Sequence, residues 1–396
     1  MNVLVLDGNQ NQAVAGVRSL ARAGHTAFVG EAASWSKAGW SRASSGTVRY
    51  ASPAQNVDAF LEGIAAFAHQ HPGILILPMT DATTLPVSAN RDALTASGVR
   101  LVLPEHESLL RAFDKDETTR LAASLGIAVP MTTLITNSEQ ARDVSESVQY
   151  PVVIKPRASE ELQAGVLRTG GRPRYARDRT EFDRAYRDIG GRTSAVVVQQ
   201  YIPGEGSGYF ALMHCGEPRA EFAHRRIRDV HPTGSGSSLR VSVDPDSEIR
   251  RGSLAILSKL RWHGVAMVEW RVRPGYPPVF MEVNGRFWHS LPLACYAGVD
   301  FPALLARMAE NGDIEPTFGY RRGVRCRWLL GDARHLVEVW NGPPTGYPGQ
   351  FPGRLGTLLD VLTPVPGTYH DLFQWKDPLP ELGDWIHASS RLVKGR

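Results

Sequence analysis

The chain has 396 residues, of which 42% are apolar and 21% are charged. This composition excludes a disordered or fibrous protein, and the length exceeds what one core usually supports, so we expect two or three packed units. The net charge of +4 is spread without a dense basic run, which argues against a nucleic-acid partner. There is neither a signal-peptide pattern nor a stretch of about 20 apolar residues, so we expect a cytoplasmic protein with no membrane partner.

Cysteine and lysine are both rare. The three cysteines, Cys215, Cys295 and Cys326, are too few and too widely spaced to predict a disulfide framework or a metal cluster. Six of the 44 basic residues are lysine, and a lysine ammonium fits between phosphate oxygens more easily than the arginine fork does. A lysine in a structured context is therefore a candidate phosphate ligand. Lys37 and Lys394 are expected to be solvated surface residues instead.

Residues 1–107 alternate strand and helix signals, which predicts a Rossmann-like parallel sheet covered by helices. The first strand-helix turn, DGNQNQ at residues 7–12, lacks the G-x-G-x-x-G spacing that brings a backbone close to a pyrophosphate. We therefore predict that this unit is a scaffold or substrate wall. Its strands are predicted at residues 3–6, 25–29, 73–77 and 99–103.

Three segments follow this unit. Two are mixed α/β, at residues 108–193 and 194–320, and the first contains a Gly- and Arg-rich stretch at residues 157–179 that is expected to be a mobile loop. Residues 321–396 are rich in Pro, Gly and Trp. We interpret them as a C-terminal extension that packs on the body of the protein.

Two lysines lie in contexts that favour an anion nearby. Lys115 precedes a predicted helix with Asp116 as its expected N-cap, and a cation at a helix N-terminus is unfavourable unless an anion lies between them. Lys155 ends an apolar strand, where a buried ammonium is costly without a partner. For Lys115 the alternative is an ordinary surface lysine.

A Gly- and Ser-rich turn within residues 224–240 is flanked by arginines. Successive backbone amides in such a turn can form an anion-binding nest, and arginines can bind a carboxylate or acyl phosphate in bidentate fashion. We therefore predict that Arg226 and Arg228 bind substrate and that Arg240 assists catalysis.

The most specific feature is a predicted hairpin within residues 264–288. Two strands joined by a Pro/Gly turn would bring Glu269 close to Glu282 and Asn284. Two carboxylates and an amide carbonyl are hard oxygen ligands that suit Mg²⁺. Arg286 has the same strand parity and would place a guanidinium beside a bound phosphate. The alternative is an ordinary hairpin with a polar, solvent-facing side.

Glu269 followed by Glu282-x-Asn284-x-Arg286 resembles the metal and phosphate signature of the ATP-grasp superfamily, and in particular its carboligase-like, carboxylate-amine ligase and carbamoyl-phosphate synthase large-subunit-like members. The resemblance covers residues 108–315 and, more loosely, the N-terminal unit. It implies an α/β fold with a Rossmann-like pre-ATP-grasp domain before a two-lobed ATP-grasp domain. Gly285 departs from the family, which usually has Pro there.

The resemblance also implies a role for each candidate residue. The family binds ATP with two Mg²⁺ ions, which Mn²⁺ can replace, and it uses small-molecule carboxylates and amines. Carried over to this sequence, the implied groups are phosphate ligands (Lys115, Lys155), adenine ligands (Gln199 or Gln200, Ile202), a ribose ligand (Glu205), metal ligands (Glu269, Glu282, Asn284) and catalytic arginines (Arg286, Arg240).

From these features we expect an ATP-dependent ligase that activates a carboxylate as an acyl phosphate for attack by an amine. Two alternatives remain open at this point. The same residues would serve a bicarbonate-activating carboxylase or a carbamoyl-phosphate-type enzyme, and a non-catalytic ATP-binding regulator would bind nucleotide without turnover. The sequence identifies neither the carboxylate nor the amine, and it is compatible with a homodimer.

Overall fold

The N-terminal unit is a parallel sheet covered by helices, as predicted. The computed structural model describes residues 1–393, and in this unit the strand order is β3-β2-β1-β4 with parallel neighbours throughout. The strand predicted at residues 99–103 forms only an isolated bridge, between Leu75 and Arg100. The elements are β1 (Asn2–Val5), α1 (Asn11–Arg22), β2 (Thr26–Glu31), β3 (Gly46–Arg49), α2 (Val57–Gln70), β4 (Leu75–Leu77), α3 (Asp81–Ala89) and α4 (Arg91–Ala96).

The second unit, the small lobe, contains an antiparallel sheet in the order β5-β10-β6-β9. Strand β10 pairs with both β5 and β6, so the predicted boundary at 193/194 is wrong and this lobe includes residues 196–200. Its elements are α5 (His106–Phe113), α6 (Lys115–Ser124), β5 (Thr132–Ile135), α7 (Ser138–Ser147), β6 (Val152–Pro156), β7 (Glu160–Gln163), β8 (Val166–Thr169), β9 (Arg174–Ala176), α8 (Arg179–Gly190) and β10 (Val196–Gln200).

The stretch predicted to be a mobile loop is instead a two-stranded hairpin, β7–β8. Leu167 is buried in a cluster with Val57 and Leu85 of the N-terminal unit. Because this contact removes apolar surface from water, it holds the hairpin against its neighbour. The high Gly and Arg content of the segment concealed this single buried leucine.

The third unit, the large lobe, is built on a seven-stranded sheet in the order β15-β14-β11-β12-β13-β16-β17. Its elements are β11 (Glu205–His214), β12 (Glu217–Arg228), β13 (Leu239–Ser242), α9 (Ser247–Lys259), β14 (Gly264–Val272), β15 (Val279–Asn284), α10 (Leu291–Ala297) and α11 (Phe301–Asn311).

The C-terminal extension completes this sheet, since its two strands pair with each other and β16 pairs with β13. The predicted boundary at residue 320/321 therefore does not separate two sheets. No helix within residues 1–393 is both long enough and apolar enough to cross a membrane. The elements of the extension are β16 (Arg325–Arg327), α12 (Leu329–Asn341), α13 (Arg354–Leu362), β17 (Tyr369–His370) and α14 (Leu379–Val393).

One hydrophobic core joins the N-terminal unit to the large lobe. Val5 and Val14 of the first unit belong to the same buried cluster as Phe210 and Trp288. The ring centroids of Phe210 and Trp288 are 4.4 Å apart. Because apolar burial is the dominant favourable contribution to folding, this shared core fixes the two units relative to each other.

A buried ion pair attaches the C-terminal helix to the N-terminal unit. Lys37, predicted to be a surface residue, is buried, and its Nζ lies 2.7 Å from Oδ1 of Asp384 on α14. The same ammonium donates to the side-chain oxygen of Asn11, while the other Asp384 oxygen accepts from Nε1 of Trp328 at 2.6 Å. Lys394 lies outside the described residues.

Replacing Lys37 with Met is expected to lower the free energy of unfolding by about 3–5 kcal/mol, because it leaves the Asp384 carboxylate buried without its cation. Urea denaturation measures this change. Lys376→Met, at an exposed position of the same extension, is the matched control and should alter stability by no more than about 0.5 kcal/mol. A loss below about 1 kcal/mol for Lys37→Met would contradict the structural role of the pair.

Candidate active site

The hairpin β14–β15 places two carboxylates directly opposite each other. Glu269 pairs with Glu282 across the strands, and a β-bulge follows Glu269. Asn284 lies two residues further along β15, and its Nδ2 donates to Oε1 of Glu282 at 3.3 Å. The predicted hairpin is therefore present, and it brings Glu269 opposite Glu282 and Asn284 into contact with Glu282. Directly opposed like charges destabilise a sheet, so this pair requires positive charge nearby.

Two lysines supply positive charge to this pair. Lys115 and Lys155 line a cavity of about 280 Å³ together with Glu269 and Glu282. Both ammonium-bearing side chains are largely buried, and Nζ of Lys115 donates to Oγ of Ser159 at 3.3 Å. The scarce lysines thus converge on the carboxylates, although they come from different elements of the small lobe.

The pKa shifts in the cavity reflect burial and this charge pairing. Burial lowers the pKa of Lys155 to about 8, and the Glu282 carboxylate opposes the shift. Burial alone would raise the pKa of Glu282, but the charges of Lys115 and Lys155 hold it below its usual value. The site therefore favours an ionised Glu282.

Backbone and side-chain contacts align the two lysines. The N-cap of α6 is Asp114 and not Asp116 as predicted, because the Asp114 side chain accepts from the backbone amides of Asp116 and Glu117 at 3.0 and 3.1 Å. The backbone amide of Lys115 donates to the carbonyl of Arg157 at 3.0 Å. Since Arg157 follows β6, this bond joins the start of the helix to the end of the strand that carries Lys155.

The residues predicted to bind adenine and the residue predicted to bind ribose line two different cavities. Gln199, Gln200 and Ile202 line the same cavity as the lysines. Gln199 is buried and donates from Nε2 to Oγ1 of Thr132 at 3.0 Å, whereas Gln200 is exposed. Glu205, predicted to contact the ribose, lines a neighbouring cavity of about 540 Å³ and lies 3.8 Å from Arg225. Because Glu205 lines this second cavity and not the one that contains the adenine candidates, its predicted ribose role is not supported.

Two of the predicted arginines do reach the carboxylate cluster. Nε of Arg286 forms an ion pair with Oδ1 of Asp81 at 3.0 Å, and its Nη2 donates to Oδ1 of Asn284 at 3.1 Å. Arg226 lies 3.0 Å from Oε1 of Glu269 and also lines the larger cavity. Both guanidinium groups therefore lie next to candidate metal ligands.

The other two predicted arginines are engaged elsewhere. Arg240 is completely buried and forms an ion pair with Asp371, which is equally buried. Arg228 binds Asp332 at 2.6 Å and Asp360 at 2.8 Å. The C-terminal extension supplies all three carboxylates, so the predicted catalytic role of Arg240 and the substrate role of Arg228 are replaced by structural roles.

The structure adds residues to the site that the sequence did not indicate. Arg271 lines both cavities and donates to the carbonyls of Gly204 and Gly234 at 2.9 and 3.1 Å. Its position two residues after Glu269 on β14 was the available signal, since alternate strand residues share a face. Tyr175 and Tyr347 also form part of the walls, and their rings pack edge-on at 5.1 Å.

Sequence comparison finds distant relatives, whereas no protein-family model matches the chain. D-alanine–D-alanine ligase from Dechloromonas aromatica is 25% identical over 220 residues, which is 50% of this chain and 67% of that protein. The N-terminal section of the carbamoyl phosphate synthase large chain from Methanopyrus kandleri is 25% identical over 215 residues. That match spans 51% of this chain but just 36% of the relative.

Solved structures share the fold over most of the chain. The biotin carboxylase domain dimer of Hydrogenobacter thermophilus 2-oxoglutarate carboxylase, in complex with MgADP, ADP and bicarbonate, has a TM-score of 0.64 at 15% identity and covers 82% of this chain and 73% of its own. L-amino acid ligase from Bacillus licheniformis has a TM-score of 0.60 at 15% identity, covering 79% of this chain and 75% of its own. The chain therefore has the ATP-grasp fold, and in sequence and structure it is similar to ligases, carboxylases and carbamoyl phosphate synthase.

Proposed function

We propose that this chain is a ligase that uses Mg-ATP to convert a carboxylate into an acyl phosphate and transfers the acyl group to an amine. The observation that carries the proposal is the convergence of Glu269 and Glu282 with Lys115 and Lys155 in one cavity. Two opposed carboxylates need a cation, and two buried lysines need anions, so a magnesium-bound triphosphate would satisfy both. The ligases among the similar proteins give further support.

The donor set fits magnesium. Glu269, Glu282 and the side-chain oxygen of Asn284 are hard oxygen ligands, which Mg²⁺ prefers over nitrogen or sulfur. We propose that these residues hold two Mg²⁺ ions, which Mn²⁺ can replace. When bound, the ions would supply positive charge that neutralises the phosphates during phosphoryl transfer.

The protein's own residues would bind and orient the substrates. Lys115 and Lys155 would neutralise the triphosphate, while Gln199 and the backbone of Ile202 would contact the adenine edge. The terminal phosphoryl group then leaves the ADP oxygen and bonds to the carboxylate oxygen. The amine nitrogen attacks the acyl carbon, phosphate departs and the amine loses a proton. Arg286, beside Asn284, would stabilise the negative charge of the acyl phosphate.

The cavity of about 540 Å³ is the candidate carboxylate site. It is lined by the three arginines Arg225, Arg226 and Arg271 and by the carboxylates of Glu205 and Asp229. Arginine side chains favour bidentate binding of a carboxylate, and Arg226 connects this cavity to Glu269. The mixed charge suits a substrate that carries both an acid and an amine, such as an amino acid.

Activation of bicarbonate is a second candidate, favoured by the similarity to a biotin carboxylase domain solved with bicarbonate. Bicarbonate is a small carboxylate and would use the same lysines and metal ligands. The two candidates differ in the acyl acceptor, so the activity test includes bicarbonate as one of the acids.

Substituting Glu282 with Gln is expected to reduce turnover by roughly 100-fold or more, because the amide removes a negative charge that holds the cation. The measurement is ADP and phosphate release under Mg-ATP with carboxylates, bicarbonate included, crossed with amino acids. Glu62→Gln, at an exposed position of α2, is the control and should retain wild-type turnover.

Wild-type ADP release by Glu282→Gln, with a substrate pair that the unmodified protein uses, would remove the ligase proposal. ATP binding without ADP production across the whole panel would instead favour a nucleotide-binding regulator. A thermal melt of each variant separates loss of chemistry from loss of fold.

Replacing Lys155 with Met is expected to weaken the binding of a nonhydrolysable ATP analogue by about 10- to 100-fold, since hydrogen bonds to charged groups contribute about 1.5–3 kcal/mol. Isothermal titration calorimetry in the presence of Mg²⁺ measures the affinity. Lys376→Met removes a lysine from an exposed turn and should bind as the wild type does. Equal affinity for all three proteins would show that Lys155 does not contact the phosphates.

A further inference from the structure

A second group of metal-ligating side chains lies at the far end of the large-lobe sheet. His214 ends β11, Cys215 follows it in the hairpin turn, and His263 immediately precedes β14. Glu269 pairs with Gly208 of β11. Gly208 and His214 are six residue steps apart on β11, which corresponds to roughly 20 Å at about 3.4 Å per residue. This group is therefore separate from the candidate active site.

The potential ligand atoms are already close together. The ligand atoms of His214, Cys215 and His263 all lie within 4.8 Å of one another. Sγ of Cys215 is 3.8 Å from Nδ1 of His263, a distance that a tetrahedral ion with bonds of about 2.0–2.3 Å can bridge with small side-chain adjustments. Cys215 is exposed, which leaves a path for an ion to enter.

The turn that carries Cys215 has an unusual residue in it. Cys215 and Gly216 form a two-residue hairpin connection with φ values of +48° and +97°, the positive values of a type I′ turn. The first position of that turn is usually Asn, Asp or Gly, because a cysteine Cβ is disfavoured there. In this conformation Sγ of Cys215 faces His263, at 3.8 Å from its Nδ1.

The backbone holds both segments in register. The amide of Gly216 donates to the carbonyl of Trp262 at 2.7 Å, which ties the hairpin turn to the loop before β14. Trp262 is itself fully buried, and its Nε1 donates to the carbonyl of Val265 at 3.0 Å. These bonds connect the hairpin turn that carries Cys215 to the buried Trp262, which directly precedes His263.

A carboxylate orients the first histidine. Nδ1 of His214 lies 3.2 Å from Oδ2 of Asp313. Arg219 holds that carboxylate in turn, with contacts of 2.6 and 2.7 Å to its two oxygens. In the tautomer that carries its proton on Nδ1, His214 donates to the nearer Asp313 oxygen, although Arg219 Nη2 also lies 3.5 Å from that nitrogen. This tautomer leaves the lone pair of Nε2 for a metal, which is the usual arrangement behind metal-bound histidines.

We propose that His214, Cys215 and His263 form a zinc site with a fourth coordination position open to solvent. One thiolate and two imidazoles suit Zn²⁺ and do not suit Mg²⁺ or Ca²⁺, which prefer oxygen ligands. From the number and spacing of the cysteines alone, the sequence did not predict a metal site. The fold supplies the missing ligand from His263, which lies 48 residues beyond Cys215.

Titration of the full chain with Co²⁺ tests the site, because a cysteine thiolate gives cobalt a ligand-to-metal charge-transfer band that carboxylate ligands do not give. We expect one equivalent of Co²⁺ to produce this band and Zn²⁺ to displace it. Cys215→Ser should abolish the band, and His263→Gln should weaken Co²⁺ binding at least tenfold. Cys295→Ser, which alters a cysteine elsewhere in the fold, is the control and should behave as the wild type does.

The absence of a thiolate band in the wild type would overturn the proposal. So would a band of undiminished strength in Cys215→Ser, or unchanged cobalt affinity in His263→Gln. Circular dichroism of each variant confirms that its fold is intact. The test does not depend on ligase activity, so its failure is distinct from failure of the proposed function.

Discussion

The candidate active site depends on the opposition of Glu269 and Glu282 across one hairpin. Two carboxylates on directly paired strand residues repel each other. Lys115 and Lys155 reach the same cavity from the small lobe, and their positive charge offsets this repulsion. The lysines are buried in turn, so each pair compensates the unfavourable burial of the other. Under the proposed function, the carboxylates would hold the metal and the lysines would bind the triphosphate.

The rest of the structure holds these charges in place. The small lobe carries both lysines, and a backbone bond from Lys115 to Arg157 aligns them. The large lobe carries both carboxylates, and the ion pair between Arg286 and Asp81 connects them to the N-terminal unit. The C-terminal extension adds strands to the large-lobe sheet and buries several cations of the body. The cavity itself is lined by residues of the small and large lobes, and the N-terminal unit and the extension pack against the large lobe.

Local patterns in the sequence predicted the carboxylate hairpin because strand alternation and a Pro/Gly turn determine the pairing of Glu269 with Glu282. They failed for Arg240, since its partner Asp371 is 131 residues away and belongs to the extension. Lys37 was misplaced on the surface for the same reason. Strand β10 was correctly predicted to be a buried strand, but its apolar residues do not indicate which sheet the strand joins. Residues that are close in sequence could therefore be assigned to a site. The partners of buried charged residues could not, because they come from distant segments of the chain.

The coupling between metal and nucleotide is the most direct measure of whether the opposed carboxylates form a magnesium site. The affinity of the wild-type protein for a nonhydrolysable ATP analogue can be measured by calorimetry with Mg²⁺ and again with excess EDTA. If Glu269 and Glu282 hold magnesium against the triphosphate, binding will be at least tenfold tighter with Mg²⁺, because without it the carboxylates repel the phosphates. Equal affinity under both conditions would contradict a metal site at this hairpin.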